Sequence, residues 1–275
     1  MNRDTEISLI KECLSLASDR STQLSEHEHL SPVERYLNRN GRFDKELDKI
    51  FRQKPAPYVH ASQIAEANSF VTLDTLLGSL LVTRDEGGRA HVFHNVCRHR
   101  GTQLVDDKSG CAKRFRCPYH AWTYTPEGAL SSVPHGDQSF PNLDKAALGL
   151  KELPSVEKYG FVWVMPMGGG EAELDEYLSG VGADLSWLQL ADLVEFKRTT
   201  KVWDCHWKLI ADGGLESYHF RFAHKDSIAP YFFDNLSTYQ QFGPHTRSVL
   251  PRTSLGQLEQ APESNWALRE HTHLV

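Results

Sequence analysis

Two short stretches decide the fold of this chain: residues 97–101 read CRHRG and residues 117–122 read CPYHAW. Each stretch sets one cysteine and one histidine no more than three positions apart, and seventeen residues separate His99 from Cys117. A disulfide framework would not need the histidines, and the chain has an odd number of cysteines, five, at irregular intervals. The pattern therefore indicates metal ligands or free thiols in a reducing compartment, and not structural disulfides.

Two thiolates and two imidazoles can hold a [2Fe-2S] cluster, with both cysteines on one iron and both histidines on the other. Two loops that lie side by side meet this requirement if each loop gives one ligand to each iron. The alternative is a tetrahedral zinc site with the same four ligands. Zinc prefers cysteine pairs at C-x2–4-C spacing, and the single residue between Cys97 and His99 is tight for chelating one ion. The cluster is the favoured interpretation, and Cys13, Cys111 and Cys205 are interpreted as ordinary thiols.

The bulk composition is that of an ordinary globular protein: 275 residues, 40% hydrophobic and 24% charged. This length allows two hydrophobic cores. A formal net charge of −6 and a pI of about 6.2 argue against nucleic acid or an anionic membrane surface as the main partner. The sequence has no apolar run near the ~20 residues of a membrane span, and its start lacks the apolar core of a signal peptide. We expect a cytoplasmic protein.

Hydrophobic spacing and turn residues divide the chain into three predicted structural segments. Residues 1–55 are predicted to be a helical segment, with Ile7, Ile10 and Leu14 at helical spacing. Residues 56–167 contain short β-type runs separated by turn residues, which predicts a compact antiparallel β domain. The glycines at 168–170 suggest a boundary, and residues 168–275 are predicted to form a second domain with helices and an extended strand at 195–203. The expected fold class is α+β.

The stretch WKLIADGGLESYHFRFAH, residues 207–224, carries the second group of candidate ligands. On one continuous helix, Asp212, Glu216 and His219 would share a face. His224 would lie about 140° around from His219, so the helix must end or unwind between the two histidines if both are to bind one metal. Two histidines and a carboxylate form the facial triad of non-haem Fe(II) oxygenases. H-x4-H alone is weak evidence, and Asp212 fits equally well as a surface carboxylate or as a partner that orients a ligand.

The stretch HNVCRHRG…CPYHAWTY resembles the Rieske iron–sulfur domain of bacterial ring-hydroxylating oxygenases. E-x2-H-x4-H at 216–224 resembles the catalytic motif of their α subunits, although Asp is usual at its first position. The resemblance implies a helix-grip catalytic domain, of which residues 168–275 would be the first part. It also implies two sets of ligands. A [2Fe-2S] cluster would be held by Cys97, His99, Cys117 and His120, and a mononuclear Fe(II) by His219 and His224.

The same resemblance implies roles that no local pattern establishes. Glu216 would be a bridging carboxylate that hydrogen-bonds across a subunit boundary to a cluster histidine, most simply His120, without ligating the mononuclear iron. A homotrimer is implied, because the cluster of one subunit would serve the iron of its neighbour. The family's third iron ligand is an aspartate a hundred or more residues after the second histidine, whereas 51 residues follow His224 here. We expect that ligand to lie outside this chain, which would then be a truncated α subunit.

The implied function is that of a mono- or dioxygenase component. Electrons would come from NAD(P)H through a separate reductase, with or without a ferredoxin, and oxygen from O2 would enter a small organic substrate. Most of the family acts on aromatic compounds, while glutamate at position 216 resembles the subset that acts on quaternary ammonium compounds. The alternative is a Rieske ferredoxin-like electron carrier without oxygenase activity, which would leave residues 216–224 as a coincidence.

Overall fold

The computed structural model describes residues 1–26, 30–38 and 40–275. These residues divide into two compact units. The first unit comprises Met1–Phe43, Leu178–Leu188 and Thr200–Val275, and the second comprises Asp44–Tyr177 and Gln189–Thr199. The three-segment division of the chain at residues 55 and 167 stays a prediction.

The α-helices are mostly short, and in chain order they are α1 (Arg3–Asp19), α2 (Arg42–Glu46), α3 (Gly136–Ser139), α4 (Glu171–Tyr177), α5 (Gly182–Trp187), α6 (Trp207–Leu215), α7 (Phe220–Ala223) and α8 (Leu268–His271). A π-helical turn, Leu47–Phe51, continues α2. Within the described residues, we find no helix with the length and apolar character that crossing a membrane requires.

The strands are also short, and in chain order they are β1 (Ala56–His60), β2 (Ser69–Thr75), β3 (Gly78–Arg84), β4 (Ala90–His94), β5 (Ser109–Cys111), β6 (Phe115–Arg116), β7 (Thr123–Tyr124), β8 (Leu130–Ser132), β9 (Ser155–Lys158), β10 (Phe161–Val164), β11 (Thr238–Phe242), β12 (His245–Pro251) and β13 (Thr272–Leu274).

The second unit is built from antiparallel sheets, as the sequence predicts. Their strand orders are β1-β10-β9, β4-β3-β2-β5 and β6-β7-β8. Strands β7 and β8 form an antiparallel hairpin, and Gly128 takes a φ of 82° in its turn. Gly128 also faces Phe93 so closely that a Cβ would lie 2.5 Å from the ring, so glycine is needed there for space as well as for conformation.

Two apolar cores stabilise this unit. One core is aliphatic and lies between the β1-β10 and β2-β3-β4 strands; it consists of Val59, Ile64, Val71, Leu80, Val82, Val92, Val162 and Val164. The other core is aromatic and includes Phe93, Phe115, Trp122 and Tyr124 together with the sulfur-bearing side chains of two of the predicted ligands. Each fully buried large apolar side chain contributes roughly 1.5–3 kcal/mol. The ligand loops are therefore anchored on a rigid base.

The first unit packs α1 against the C-terminal part of the chain. Asn2 caps α1 by accepting a hydrogen bond from the Thr5 N–H at 2.8 Å. The predicted apolar stripe is buried at Ile10 and Leu14, which contact residues of the β11-β12-β13 sheet and of the 3-10 helix Thr253–Gln260. The extended strand predicted at 195–203 is wrong, because this stretch has no regular structure and pairs with no strand among the described residues. A strand needs a neighbouring ladder to satisfy its backbone groups.

Candidate metal centres

The first ligand loop is a tight turn closed by its own backbone. The Cys97 N–H donates to the Thr102 carbonyl at 2.8 Å, and the Gly101 N–H donates to the Cys97 carbonyl at 3.0 Å. Gly101 has a φ of 76°, in the left-handed region that glycine adopts without strain. The turn directs both ligand side chains of the loop to the same end of the domain.

The second ligand loop repeats this geometry with a different sequence. The Cys117 N–H donates to the Trp122 carbonyl at 2.8 Å, and the Ala121 N–H donates to the Cys117 carbonyl at 3.0 Å. Ala121 has a φ of 58°, although it is not a glycine. A left-handed conformation disfavours an L-residue by roughly 1–2 kcal/mol. The loop holds Ala121 in this conformation at the position that corresponds to Gly101.

The two loops bring like ligands together. Cys97 and Cys117 are each only 2% exposed and belong to the same buried cluster, and the nearby Cys117 thiol helps to raise the pKa of Cys97. The rings of His99 and His120 lie on the less buried side, with centroids 4.5 Å apart. In the parts of the chain that the structure describes, no three His, Cys, Asp or Glu side chains converge on one ion position. Cysteine beside cysteine and histidine beside histidine is the pairing that a [2Fe-2S] cluster requires.

His99 has the properties of a ligand and not of a structural histidine. Its ring stacks on Trp122, with centroids 4.7 Å apart and planes 5° apart. Burial lowers the pKa of the His99 ring below its ordinary value, and the charges of His120 and Arg100 act in the same direction. Its Nδ1 atom is buried and accepts or donates no hydrogen bond among the described residues. A neutral ring with an unused buried nitrogen fits metal coordination.

Tyr124 lies beneath the cysteine pair and was missed by the sequence analysis. Its side chain is fully buried, and its hydroxyl lies 3.4 Å from Cys97 Sγ and accepts a hydrogen bond from the Arg98 N–H at 3.0 Å. Burial raises the pKa of the Tyr124 hydroxyl, so the group stays protonated and can donate to a thiolate. The sequence did contain an indication of this position. Side chains alternate along a strand, so Tyr124 faces the same side as Trp122, two positions earlier.

Burial also raises the pKa of the Cys97 thiol above its ordinary value, and the nearby Cys117 thiol acts in the same direction. Deprotonation of this cysteine pair is therefore expected to accompany metal binding. All five cysteines are free thiols, and the three that are not predicted ligands lie outside the loops. Cys13 is buried beside α1 residues in the first unit, and Cys111 and Cys205 are exposed.

The second candidate centre lies where the helical structure is interrupted twice, once before His219 and once before His224. Helix α6 ends at Leu215, and Glu216 is extended with a φ of −129° and a ψ of 157°. His219 and His224 flank the single turn of α7, and their ring centroids lie 5.2 Å apart. The chain therefore leaves helical geometry before His219, and the helical turn between the two histidines ends at Ala223, with His224 at a φ of −121° and a ψ of 24°. The two glycines near the end of α6 weaken it by roughly 1 kcal/mol each, which favours a break there.

Glu216 fixes the orientation of His219. One carboxylate oxygen, Oε2, accepts the His219 backbone N–H at 3.2 Å, and the other, Oε1, contacts the ring Nδ1. A carboxylate at Nδ1 selects the tautomer that leaves Nε2 as the available ligand nitrogen. The His224 ring has a longer contact, from its Nδ1 to the Ser227 hydroxyl at 3.4 Å. The pair therefore presents two imidazoles with one of them held firmly in place.

Asp212 does not belong to this centre. The predicted shared helix face of Asp212, Glu216 and His219 is wrong, because only Asp212 lies within α6. Its carboxylate instead accepts a hydrogen bond from the Tyr36 hydroxyl at 2.6 Å, which raises the pKa of that tyrosine. No carboxylate joins the two histidines as a further member of a three-ligand group within the described residues. A third iron ligand outside this chain stays a prediction.

The contact between Tyr124 and Cys97 generates a prediction about the cluster. A hydrogen bond to sulfur favours the reduced cluster, which carries one more negative charge, so Tyr124→Phe should lower the reduction potential. A hydrogen bond worth about 0.5–1.5 kcal/mol corresponds to roughly 20–60 mV for one electron. A redox titration followed by EPR at low temperature measures the shift. Tyr58→Phe, a half-buried tyrosine outside the ligand loops, is the control. An unchanged potential in Tyr124→Phe would show that the hydroxyl does not reach the cluster.

Comparisons with known proteins agree with both centres. Residues 54–156 match the Rieske [2Fe-2S] domain family, and residues 190–273 match the catalytic domain of ring hydroxylating alpha subunits. The chloroplastic choline monooxygenase of Beta vulgaris is 29% identical over 229 residues, which are 82% of this chain and 51% of that protein. The carnitine monooxygenase oxygenase subunit of Escherichia coli (strain K12) is 30% identical over 195 residues, 70% of this chain and 51% of the relative.

A solved structure supports the same assignment. Naphthalene 1,2-dioxygenase from Rhodococcus sp., bound to indole, superposes with a TM-score of 0.68 and 27% identity, over 76% of this chain and 51% of that one. The chain spans about half the length of the curated relatives described above. The two matched domains occur in succession, and the first contains both loops with the candidate cluster ligands. The chain therefore carries a Rieske [2Fe-2S] domain followed by a catalytic domain of the ring-hydroxylating α-subunit family, and its relatives are Rieske oxygenase α subunits.

Proposed function

We propose that this chain is the part of an oxygenase component in which a Rieske cluster feeds electrons to a mononuclear Fe(II) centre. The observation that carries the proposal is the like-with-like pairing of Cys97 with Cys117 and of His99 with His120. The pair of His219 and His224 in the same chain supports the second metal. When bound, the cluster supplies one-electron transfer and the Fe(II) supplies the site of O2 activation.

Residues of this chain would do three things in that reaction. Cys97 and Cys117 would hold their iron in the buried, aromatic base of the loops, away from water. His99 and His120 would hold the other iron on the less buried side, where an electron can enter or leave. Glu216 would keep the Nε2 atom of His219 directed at the mononuclear iron through its contact with Nδ1.

Glu216 is also proposed as the bridge between subunits. Its side chain is 37% exposed, and each carboxylate oxygen has a second lone pair beyond those used for His219. A cluster histidine, His120, of a neighbouring subunit could therefore donate to the same carboxylate. This bridge requires a closed ring of subunits, and a homotrimer is part of the proposal.

The electron source and location belong to the same proposal. Electrons would come from NAD(P)H through a separate reductase, with or without a ferredoxin. A cytoplasmic location is supported by the five free thiols, because a reducing compartment keeps the cysteine ligands available.

For the substrate, we propose quaternary ammonium compounds in preference to aromatic hydrocarbons. The support is glutamate at position 216, together with relatives that are named as choline and carnitine monooxygenases. The test is the EPR spectrum of the nitrosyl adduct of the Fe(II)-loaded protein, with and without saturating carnitine or naphthalene. A shift with carnitine but not with naphthalene is expected. The opposite pattern would assign the aromatic class.

Iron content tests the proposal as a whole. The protein reconstituted anaerobically with excess Fe(II) and sulfide should contain about three irons per chain, two in the cluster and one at the histidine pair. The variants His219→Ala and His224→Ala should each fall to about two, with an unchanged EPR signal from the cluster. His273→Ala, which removes an exposed histidine of β13 in the same unit, is the matched control and should keep about three.

Because the third iron ligand is expected outside this chain, about two irons in the unchanged protein favours the electron carrier over the oxygenase component only if the count also stays at two in the full-length subunit at saturating Fe(II). Loss of the cluster signal in His219→Ala would show that the two centres are not separate. Zinc in place of the cluster iron would contradict both functions.

A further inference from the structure

The carbonyl group at the end of helix α6 has two hydroxyl partners from the sheet beside it. The Tyr239 hydroxyl donates to the Leu215 carbonyl oxygen at 2.9 Å, and the Ser248 hydroxyl donates to the same oxygen at 3.5 Å. Tyr239 of β11 and Ser248 of β12 lie directly opposite each other in the sheet, so their side chains share one face. A carbonyl oxygen has two lone pairs, and each has a donor here.

This carbonyl is the acceptor that a longer helix would use. In an α-helix each N–H donates to the carbonyl four residues earlier, so a helix that continued past Leu215 would join the His219 N–H to the Leu215 carbonyl. The structure shows an exchange of partners. The His219 N–H donates to Glu216 Oε2 at 3.2 Å instead. The hydroxyls of Tyr239 and Ser248 take its place at the carbonyl.

The usual way of ending a helix is not used at this point. The last four carbonyls of a helix lack donors within the helix, and a glycine or asparagine in the left-handed conformation commonly provides their hydrogen bonds. Glu216 follows α6 with a φ of −129° and a ψ of 157°, which is extended. The backbone of Glu216 therefore forms no left-handed cap, and the two hydroxyls of the sheet satisfy the Leu215 carbonyl in its place.

The chain is also held on the other side of Glu216. Ser217 is 1% exposed, and its hydroxyl donates to the Leu236 carbonyl at 3.3 Å. Leu236 lies two residues before the start of β11. The residues before and after Glu216 are therefore both tied to the β11-β12 hairpin and the chain that leads into it. These two fixed neighbours set the direction of the Glu216 side chain.

We propose that Tyr239 is a positioning residue for the mononuclear centre. Its hydroxyl donates to the Leu215 carbonyl, which leaves the His219 N–H and ring to the Glu216 carboxylate. This inference rests on the proposed function, in which His219 is an iron ligand. Tyr239 is not itself a ligand, because it acts through the backbone of Leu215 and the side chain of Glu216. Ser248 is the weaker second donor, since its contact is longer.

Removal of the Tyr239 hydroxyl should return the carbonyl to the helix. In Tyr239→Phe the ring stays, but the Leu215 carbonyl loses its shorter hydrogen bond and can accept the His219 N–H. Glu216 then releases His219, whose Nε2 atom is no longer held in one direction. Loss of a group that orients a histidine ligand lowers metal affinity about 10–100-fold. We expect a loss of about 10-fold, because Ser248 still contacts the carbonyl.

The first measurement is an anaerobic calorimetric titration with Fe(II) alone of the cluster-loaded full-length subunit, which supplies the third ligand expected outside this chain. Tyr239→Phe should weaken binding about 10-fold, and Ser248→Ala should weaken it by a smaller factor. Tyr36→Phe is the matched control. It removes a tyrosine hydroxyl that donates at 2.6 Å to Asp212 of the same helix, without altering the contacts of the Leu215 carbonyl. It should bind Fe(II) as the unchanged protein does.

The second measurement separates positioning from a loss of stability. The EPR spectrum of the nitrosyl adduct at the Fe(II) centre responds to the directions of the iron ligands. Tyr239→Phe and Glu216→Ala should give the same altered spectrum, because both release His219. Tyr36→Phe should give the spectrum of the unchanged protein. In Tyr239→Phe/Glu216→Ala the two losses of affinity should not multiply, since each substitution removes the same contact.

Unchanged Fe(II) affinity and an unchanged nitrosyl spectrum in Tyr239→Phe would overturn the inference and leave the proposed function intact. A lower melting temperature with an unchanged spectrum would also overturn it, because Tyr239 would then only stabilise the fold. Losses that multiply to about 100-fold in Tyr239→Phe/Glu216→Ala would place the effect of Tyr239 outside the Glu216 contact. Failure of the proposed function has a different result: Fe(II) binding would be the same in His219→Ala as in the unchanged protein, and the inference would fall with it.

Discussion

Like ligands meet because two loops of different sequence adopt one backbone turn. In each loop the cysteine carbonyl accepts the N–H of the residue four positions later, which is Gly101 in one loop and Ala121 in the other. Both of these residues have positive φ, and the chain tolerates the strain at Ala121 to keep the turn. The turn buries Cys97 and Cys117 against each other and leaves the histidines toward solvent. The proposed electron-transfer role depends on this arrangement.

Local backbone geometry also positions the side chains at the candidate mononuclear centre. Helix α6 ends early, and the extended backbone at Glu216 turns its carboxylate onto both the N–H and the ring of His219. This one side chain therefore sets the tautomer of His219, the proposed iron ligand. A helix that continued through His224 would direct its side chain about 140° away from that of His219. Helix α7 ends at Ala223 instead, and the two ring centroids lie 5.2 Å apart.

The sequence predicted well those features that depend on local spacing. C-x-H and C-x2-H predicted which four side chains two matching loops bring together, because each loop is a short closed turn with its own backbone hydrogen bonds. The sequence predicted poorly those features that depend on where a helix ends or on contacts between distant residues. The end of α6 was misplaced, since glycine propensity and tertiary contacts outweighed the helical pattern, and Asp212 was grouped with a site it does not reach. Tyr124 was missed because its role comes from packing beneath Cys97. The prediction of a strand at 195–203 was wrong because no other strand among the described residues pairs with that stretch.

Nitrogen coordination of the reduced cluster tests the account most directly. Protein grown with ¹⁵N-histidine and reduced by dithionite should give pulsed EPR spectra with hyperfine coupling from two ¹⁵N nuclei. The variant His120→Cys should retain coupling from one nucleus, because His99 remains. A cluster signal without ¹⁵N coupling would contradict histidine ligation. Absence of any cluster signal, with zinc bound at Cys97 and Cys117, would contradict the proposed electron transfer through a [2Fe-2S] cluster.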